Sequence, residues 1–165
     1  MKKILLLSDT HSFLDDKILK YVDQADEVWH AGDIGDLDVT DEIKKRKPLR
    51  GVYGNIDDDK ARMEFPLHNR FYCEEVAVLI THIGGYPGKY NPAIRPILQQ
   101  NPPKLFICGH SHILKVQFDK TLNLLHMNPG AAGIHGFHQV RTMLRFEIEG
   151  AKIQALEIIE IEKRI

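Results

Sequence analysis

The chain is poor in several features that would narrow its role. Its two cysteines, Cys73 and Cys108, lack a C-x-x-C spacing, which excludes the commonest thiolate metal and redox motifs. Two lone thiols fit a reducing compartment, and a cytoplasmic location is the expectation. An excess of charge of one sign is missing too. The 22 Lys and Arg stand against 23 Asp and Glu, which is not the electrostatic footprint of a nucleic-acid or membrane-surface binder. No apolar stretch is long enough to cross a bilayer. The run Ile4–Leu7 behind Met1-Lys2-Lys3 resembles the start of a signal peptide. Ser8, Asp9, Thr10 and His11 cut it short, however, and no small-residue cleavage site follows. Repeats, low-complexity tracts and interdomain linkers are absent, so residues 1–165 read as one domain, large enough to bury a core.

What is there is ordinary in bulk and unusual in detail. The apolar share is 43% and the charged share 27%, as in soluble globular proteins. Strand-like runs and helix-like segments alternate through the first two thirds. Apolar runs over Lys3–Leu7, Glu27–Ala31, Leu49–Tyr53, Val76–Thr81 and Leu105–Cys108 suit buried parallel strands. Helical spacing predicts helices over Leu14–Val22, Asp38–Lys47 (stopped by Pro48) and about 92–100 (stopped by Pro102 and Pro103). The last third reads as hairpins, Val116–Phe118 with Leu122–Met127 and Thr142–Glu149 with Lys152–Ile159, turning at Asp119–Thr121 and Gly150. Alternation puts Met143, Arg145 and Glu147 on one face and Leu144, Phe146 and Ile148 on the other, the pattern of a half-buried strand. The fold expected is a mixed α/β domain with two sheets packed face to face between helices.

The unusual detail is where the polar residues fall. Asp9 and His11 follow the first strand, Asp33 the second, Asn55 the third, His82 the fourth, and His110 with His112 the fifth. Loops beyond the carboxyl ends of strands are where α/β sheets assemble their sites. Seven metal-capable side chains are thereby delivered to one edge. Carboxylate, imidazole and amide oxygen without thiolate suit Mn, Fe, Zn, Ni or Co. A carboxylate can bridge two ions, and Asp33 is the natural bridge. Asp9, His11 and His112 then fall to one ion, and Asn55, His82 and His110 to the other. Two ions about 3.5–4 Å apart lower the pKa of a shared water and clamp an in-line phosphoryl displacement.

Asp9-Thr10-His11, Gly32-Asp33, Gly54-Asn55 with Asp57, His82, and Gly109-His110-Ser111-His112 resemble the calcineurin-like metallophosphoesterase family, and its small single-domain bacterial and archaeal phosphodiesterase branch most of all. The resemblance runs from about Ile4 to Gly130. It implies a four-layer αββα sandwich, the same division of ligands, and two divalent ions with Mn²⁺ the first expectation. It also implies hydrolysis of a small phosphate ester, a phosphodiester first, by a hydroxide shared between the ions. Asp33, Asn55, His82 and His110 are the catalytic residues so implied. One position departs from the pattern. Many members carry a His directly after the Asn, touching the substrate phosphate, where this chain has Ile56. General-acid help is worth about 10²–10⁴-fold, so activated esters are expected to be preferred unless another residue protonates the leaving group. His135 and His138 are candidates for that role.

Two rivals accompany this reading. Retromer-associated relatives resemble the family as scaffolds, having lost ligand residues, and they too lack the His after the Asn. A nuclease would cleave the same bond, but no basic groove is evident to receive nucleic acid. Among other residues, His30 reads as packed beside the site and His126 as either an orienting or a core residue. Asp57 reads as a cap or a partner of the ligands, His68 and Cys108 as structural. Gly84–Tyr90 is either a lid presenting Tyr86, Lys89 and Tyr90 or a plain surface loop. Apolar Ile158, Ile159 and Ile161 at the C-terminal end raise self-association.

Overall fold

A computed structural model describes residues 1–163. The chain runs β1 (Lys2–Leu7), α1 (Asp16–Gln24), β2 (Glu27–His30), α2 (Asp38–Lys44), β3 (Leu49–Gly51), α3 (Asp59–Glu64), β4 (His68–Cys73), β5 (Val76–Thr81) and a short hairpin of β6 (Gly85–Tyr86) and β7 (Lys89–Tyr90). It continues α4 (Arg95–Gln100), β8 (Leu105–Ile107), β9 (Leu114–Asp119), β10 (Leu124–Pro129), β11 (Val140–Glu149) and β12 (Lys152–Glu162). One sheet has the order β12-β11-β1-β2-β3 and the other β4-β5-β8-β10-β9. β1, β2 and β3 run parallel, as do β5, β8 and β10, while hairpin strands close both sheets antiparallel.

Side-chain alternation along β1 explains the layering. Successive strand residues point to opposite faces. Ile4 and Leu6 enter the inter-sheet core with Val78, Ile80, Leu105 and Ile107. Leu5 and Leu7 pack on the other face against Ile18 and Val22 of α1 and Val39 and Ile43 of α2. In the second sheet Val76, Val78 and Ile80 face the first, while Leu79 and Phe106 meet Ile94 and Leu98 beside α4. A run apolar at every position is therefore buried on both sides. The result is the expected αββα sandwich.

Helix ends follow local chemistry. Asp15 accepts the Ile18 N–H at 3.0 Å and caps α1, while Asp58 accepts that of Ala61 at 3.0 Å and caps α3. Pro96 at the start of α4 occupies a position where no N–H is needed. The helix at α3 and the strand β4 lie in a stretch that carries no strong periodicity in the sequence. They form because Ala61 and Phe65 are buried and β4 pairs along its whole length with β5. The hairpin turn after β9 spans residues 120–123, one residue later at its start and two at its end than its composition predicts. Asp119 accepts the N–H groups of Thr121 and Leu122, and Asn123 takes the left-handed conformation that completes the turn.

Two expectations are revised. β11 is half-buried only toward its end, because Met143 packs against the helix layer while Arg145 and Glu147 are part-exposed. Ile159 and Ile161 are also buried in that layer, leaving Ile158 as the exposed isoleucine of the three. Two of the three isoleucines raised for self-association are thus core, while Ile158 stays on the surface. Among the described residues no helix is long and apolar enough to cross a membrane.

The inter-sheet core centres on Trp29, whose ring lies edge-on to Phe71 at 5.1 Å and to Phe146 at 5.7 Å. Phe146→Ala is expected to destabilise the fold by about 3–5 kcal/mol. Urea unfolding followed by the fluorescence of Trp29, the single tryptophan, measures this loss.

Candidate metal centre

The strand ends do not simply stop; they turn sharply. Asp9, His11, Asp33, His110 and His112 all have positive φ, between 45° and 73°. Non-glycine residues avoid that region, and each one there costs on the order of 1–3 kcal/mol. Hydrogen bonds between neighbouring loops over-determine it. The N–H of Asp9 donates to the Gly32 carbonyl at 2.9 Å, that of His11 to Asp33 at 3.0 Å and that of Ser12 to Ile34 at 2.8 Å. Asp57 then ties two loops together by accepting the N–H groups of Ile34, Gly35 and Gly54 at 3.1, 2.8 and 2.7 Å. Asn128 does the same for the last loop. Its amide donates to the Gly109 carbonyl at 3.0 Å and to Ser111 Oγ at 3.1 Å, and its oxygen accepts from Gly130.

Two glycines record how tightly the side chains are seated. A Cβ on Gly32, whose φ is +99°, would lie 2.6 Å from His82 Nδ1, and one on Gly54 would fall inside the Asp33 carboxylate. Both motifs are Gly-first because the backbone is pressed against a neighbouring strand's ligand.

All seven expected ligands meet at one edge of the sandwich. Asp9, His11 and His112 form one group and Asp33, His82 and His110 another, with the possible ligand atoms of each group within 4.8 Å of one another. Asp33 Oδ2 lies between the two groups, 3.2 Å from His82 Nε2 and 3.4 Å from His11 Nε2. Asp9 Oδ1 lies 3.2 Å from His112 Nε2 and 3.8 Å from both His11 Nε2 and His82 Nε2. Asn55 joins the second group through its amide oxygen, which accepts from His110 Nδ1 at 3.0 Å. That oxygen keeps a second lone pair.

The orientation of these groups is set from behind. His82 Nδ1–H donates to the Ala31 carbonyl at 2.7 Å, so Nε2 faces the carboxylates. Asp9 Oδ2 accepts from Ser8 Oγ at 2.7 Å and from the His110 N–H at 3.1 Å, which turns Oδ1 inward. Burial pushes the Asp9 carboxyl upward, but the neighbouring His11, His112 and His82 imidazoles outweigh it and hold the group well below the usual carboxylate range. Asp33 is likewise raised by burial and lowered more strongly by His82, with a net fall. The His82 imidazole is opposed by burial and then raised above its ordinary value by Asp33 and Asp9.

Whether these residues fit metal can be read from what they leave unsatisfied. Asp9 Oδ1, His11 Nε2 and His82 Nε2 are buried and have no hydrogen-bond partner. An imidazole lone pair facing a carboxylate oxygen at 3.2–3.8 Å is a repulsive arrangement unless a proton or a cation lies between. Inward-facing nitrogen and oxygen lone pairs around two nearby centres are the donor set of divalent ions.

The surrounding residues divide cleanly. His30 is fully buried with Nε2 3.0 Å from Thr10 Oγ1, while Nδ1 accepts the Gly32 N–H. Burial pushes its pKa down to about 4. It braces the Asp9 and Asp33 loops, the supporting role its position predicts. His126 is buried, its ring tilted against Phe106 with centroids 5.6 Å apart. Burial lowers its pKa to about 4, against a smaller upward pull from the Phe106 backbone, which it approaches without a hydrogen bond. His68 pairs with Thr81, and Cys108, pushed up to about 12 by burial, is structural. The stretch Gly84–Tyr90 contains the β6–β7 hairpin, which Tyr90 anchors by donating to Asp119 at 2.6 Å. His135 stacks on His11 with centroids 4.6 Å apart, and His138 packs edge-on to His112 at 5.4 Å. Ser8 and Asn128 are supporting residues that motif reading passes over. Ser8 carries a signal by adjacency to Asp9, whereas Asn128 carries none in the sequence.

Removal of a partner that orients ligands typically weakens metal binding by about 10–100-fold. Asn128→Ala is expected to do so for Mn²⁺ by loosening the His110–His112 loop. Isothermal titration of the variant measures it, and an unchanged affinity would show that the loop is held without Asn128.

Comparison with known proteins agrees with this geometry. The model of the calcineurin-like phosphoesterase superfamily domain matches residues 1–151. A probable metallophosphoesterase of Methanothermobacter thermautotrophicus is 26% identical over 159 residues, covering 93% of this chain and 90% of the relative. Among solved structures, an archaeal phosphodiesterase superposes with a TM-score of 0.74 at 19% identity, covering 96% of this chain and 99% of the other. Zinc-bound Vps29 from Entamoeba histolytica does so with 0.74 at 14% identity, covering 98% and 99%. At these identities the structural likeness speaks for the fold, whereas the domain match spans nearly the whole sequence. The chain belongs to the calcineurin-like phosphoesterase superfamily.

Proposed function

We propose that this single-domain chain is a metal-dependent phosphodiesterase of the cytoplasm, holding two divalent ions with Mn²⁺ the first candidate. The observation that carries the reading is the convergence of unsatisfied, buried ligand atoms from Asp9, His11 and His82 on two adjoining groups. Asp9, His11 and His112 would hold one ion, Asn55, His82 and His110 the other, and Asp33 both. Ions bound there would supply an activated water as nucleophile and neutralise charge on the phosphoryl oxygens. The chain's own contribution is preorganisation: carbonyls, hydroxyls and amides fix each ligand before substrate arrives. The archaeal protein that shares the fold is a phosphodiesterase, which supports the diester preference.

A scaffold role is the second reading, favoured by Ile56 and by the likeness to Vps29. The complete ligand set weighs against it. Metal analysis with turnover of bis-aryl and mono-aryl phosphates in added Mn²⁺ separates the two. Two ions per chain with diester turnover supports the enzyme; a metal-free, inert protein supports the scaffold.

Asp33→Asn is expected to lower metal content and abolish turnover of an aryl phosphodiester, because Asp33 faces both groups. Full activity with metal still bound would sink the bridging role. For the leaving group, the candidates to replace the His absent at Ile56 are His135 and His138, which lie against the His11 and His112 imidazoles. Loss of the acting residue should steepen the dependence of rate on leaving-group pKa and cost about 10²–10⁴-fold on poor leaving groups. A leaving-group series on His135→Ala and His138→Ala reads this, and an unchanged slope in both removes them as acids.

A further inference from the structure

Two grooves adjoin the cluster, and their charges are opposite. On the His110 side lies a groove of about 840 Å³ that reaches from Gly109 and His110 to the β6–β7 hairpin. Lys89, Arg95 and Lys115 line it, and no carboxylate does. None of the three cations is ion-paired among the described residues. Two of them are held in place. Arg95 donates to the Tyr90 carbonyl at 3.1 Å, and the Lys115 ammonium sits 5.0 Å from the centre of the Tyr86 ring. His126, fully buried, lines the same groove with both ring nitrogens unpartnered. On the Ile56 side, a groove of about 650 Å³ is lined by Asp36, Asp38 and Asp58 against the single cation Lys60.

Resting on the reading of this centre as a phosphodiesterase, we propose that its substrates are small phosphodiesters with one arm carrying a further phosphate, and that this arm lies in the Lys89–Arg95–Lys115 groove. A scissile phosphoryl group at the cluster leaves one ester arm over His110, where the groove begins. Three cations with no acidic partner attract an anionic arm there. The three aspartates of the Ile56 groove repel it, so the charge pattern sets which groove the arm enters as well as its affinity. By Coulomb's law in water, three unit charges at roughly 8 Å together correspond to about a tenfold preference.

The test is calorimetric binding of thymidine 3′,5′-bisphosphate and thymidine 5′-monophosphate to the Mn²⁺-loaded protein, with no turnover required. The bisphosphate should bind about tenfold tighter at low salt, with a margin that shrinks as salt screens the charges. Lys89→Ala/Lys115→Ala should reduce the margin to about twofold, and Lys89→Gln/Lys115→Gln, which keeps length and polarity, should do the same. Equal binding of the two nucleotides by the unmodified protein would overturn the proposal, as would a margin that survives both double variants. Tighter binding of single-stranded oligothymidylate than of the bisphosphate would overturn the small-molecule assignment in favour of a nuclease. Absence of aryl diester turnover with metal bound would instead count against the phosphodiesterase reading, and the binding margin would still be measured.

Discussion

The structure depends on the burial of two carboxylates, Asp9 and Asp33, at the ends of neighbouring parallel strands, facing the same imidazoles. Like charges removed from water repel and are costly unless compensated. His11, His82 and His112 are placed around them at 3.2–3.8 Å, and cation binding completes the compensation. Most of what is unusual in the chain follows from that arrangement. Five of the seven candidate ligands take left-handed backbone, and the loops that hold them are laced by main-chain hydrogen bonds and clamped by Asp57 and Asn128.

The sandwich exists to hold those loops still. Strands buried on both faces cannot slide without exposing one apolar side or the other, and β1 is packed against helices and against the second sheet at once. Rigid strands deliver rigid strand ends, which is the precondition for ligand atoms to meet within a few ångströms. The second sheet contributes through the same device, since β5 and β8 run parallel and carry His82 and His110 to the same edge as β1 and β2. Charge around that edge is unevenly spread, basic beside His110 and acidic beside Ile56. A net charge near zero hid this, because a sum over residues carries no positions.

Much of the centre was legible beforehand because its residues lie in short local patterns. An apolar run followed by Gly-Asp or Gly-His places the ligand at a strand end whatever the rest of the chain does. The αββα layering was legible because runs apolar at every position need cover on both faces. The helix α3 and strand β4 were not, since their burial comes from partners distant in sequence and their own periodicity is weak. The β6–β7 hairpin read equally well as a lid because Tyr90 meets Asp119, twenty-nine residues away, only after folding.

The amino-acid sequence by itself determined which side chains could bind metal, the order in which strands would present them, and the absence of an imidazole at Ile56. Tertiary structure decided which ring nitrogen His11, His82 and His112 turn toward the carboxylates, and which groove beside the cluster is basic. Ligand identity and strand ends are properties of contiguous residues, whereas nitrogen orientation and local potential arise from groups that become neighbours only when the two sheets pack.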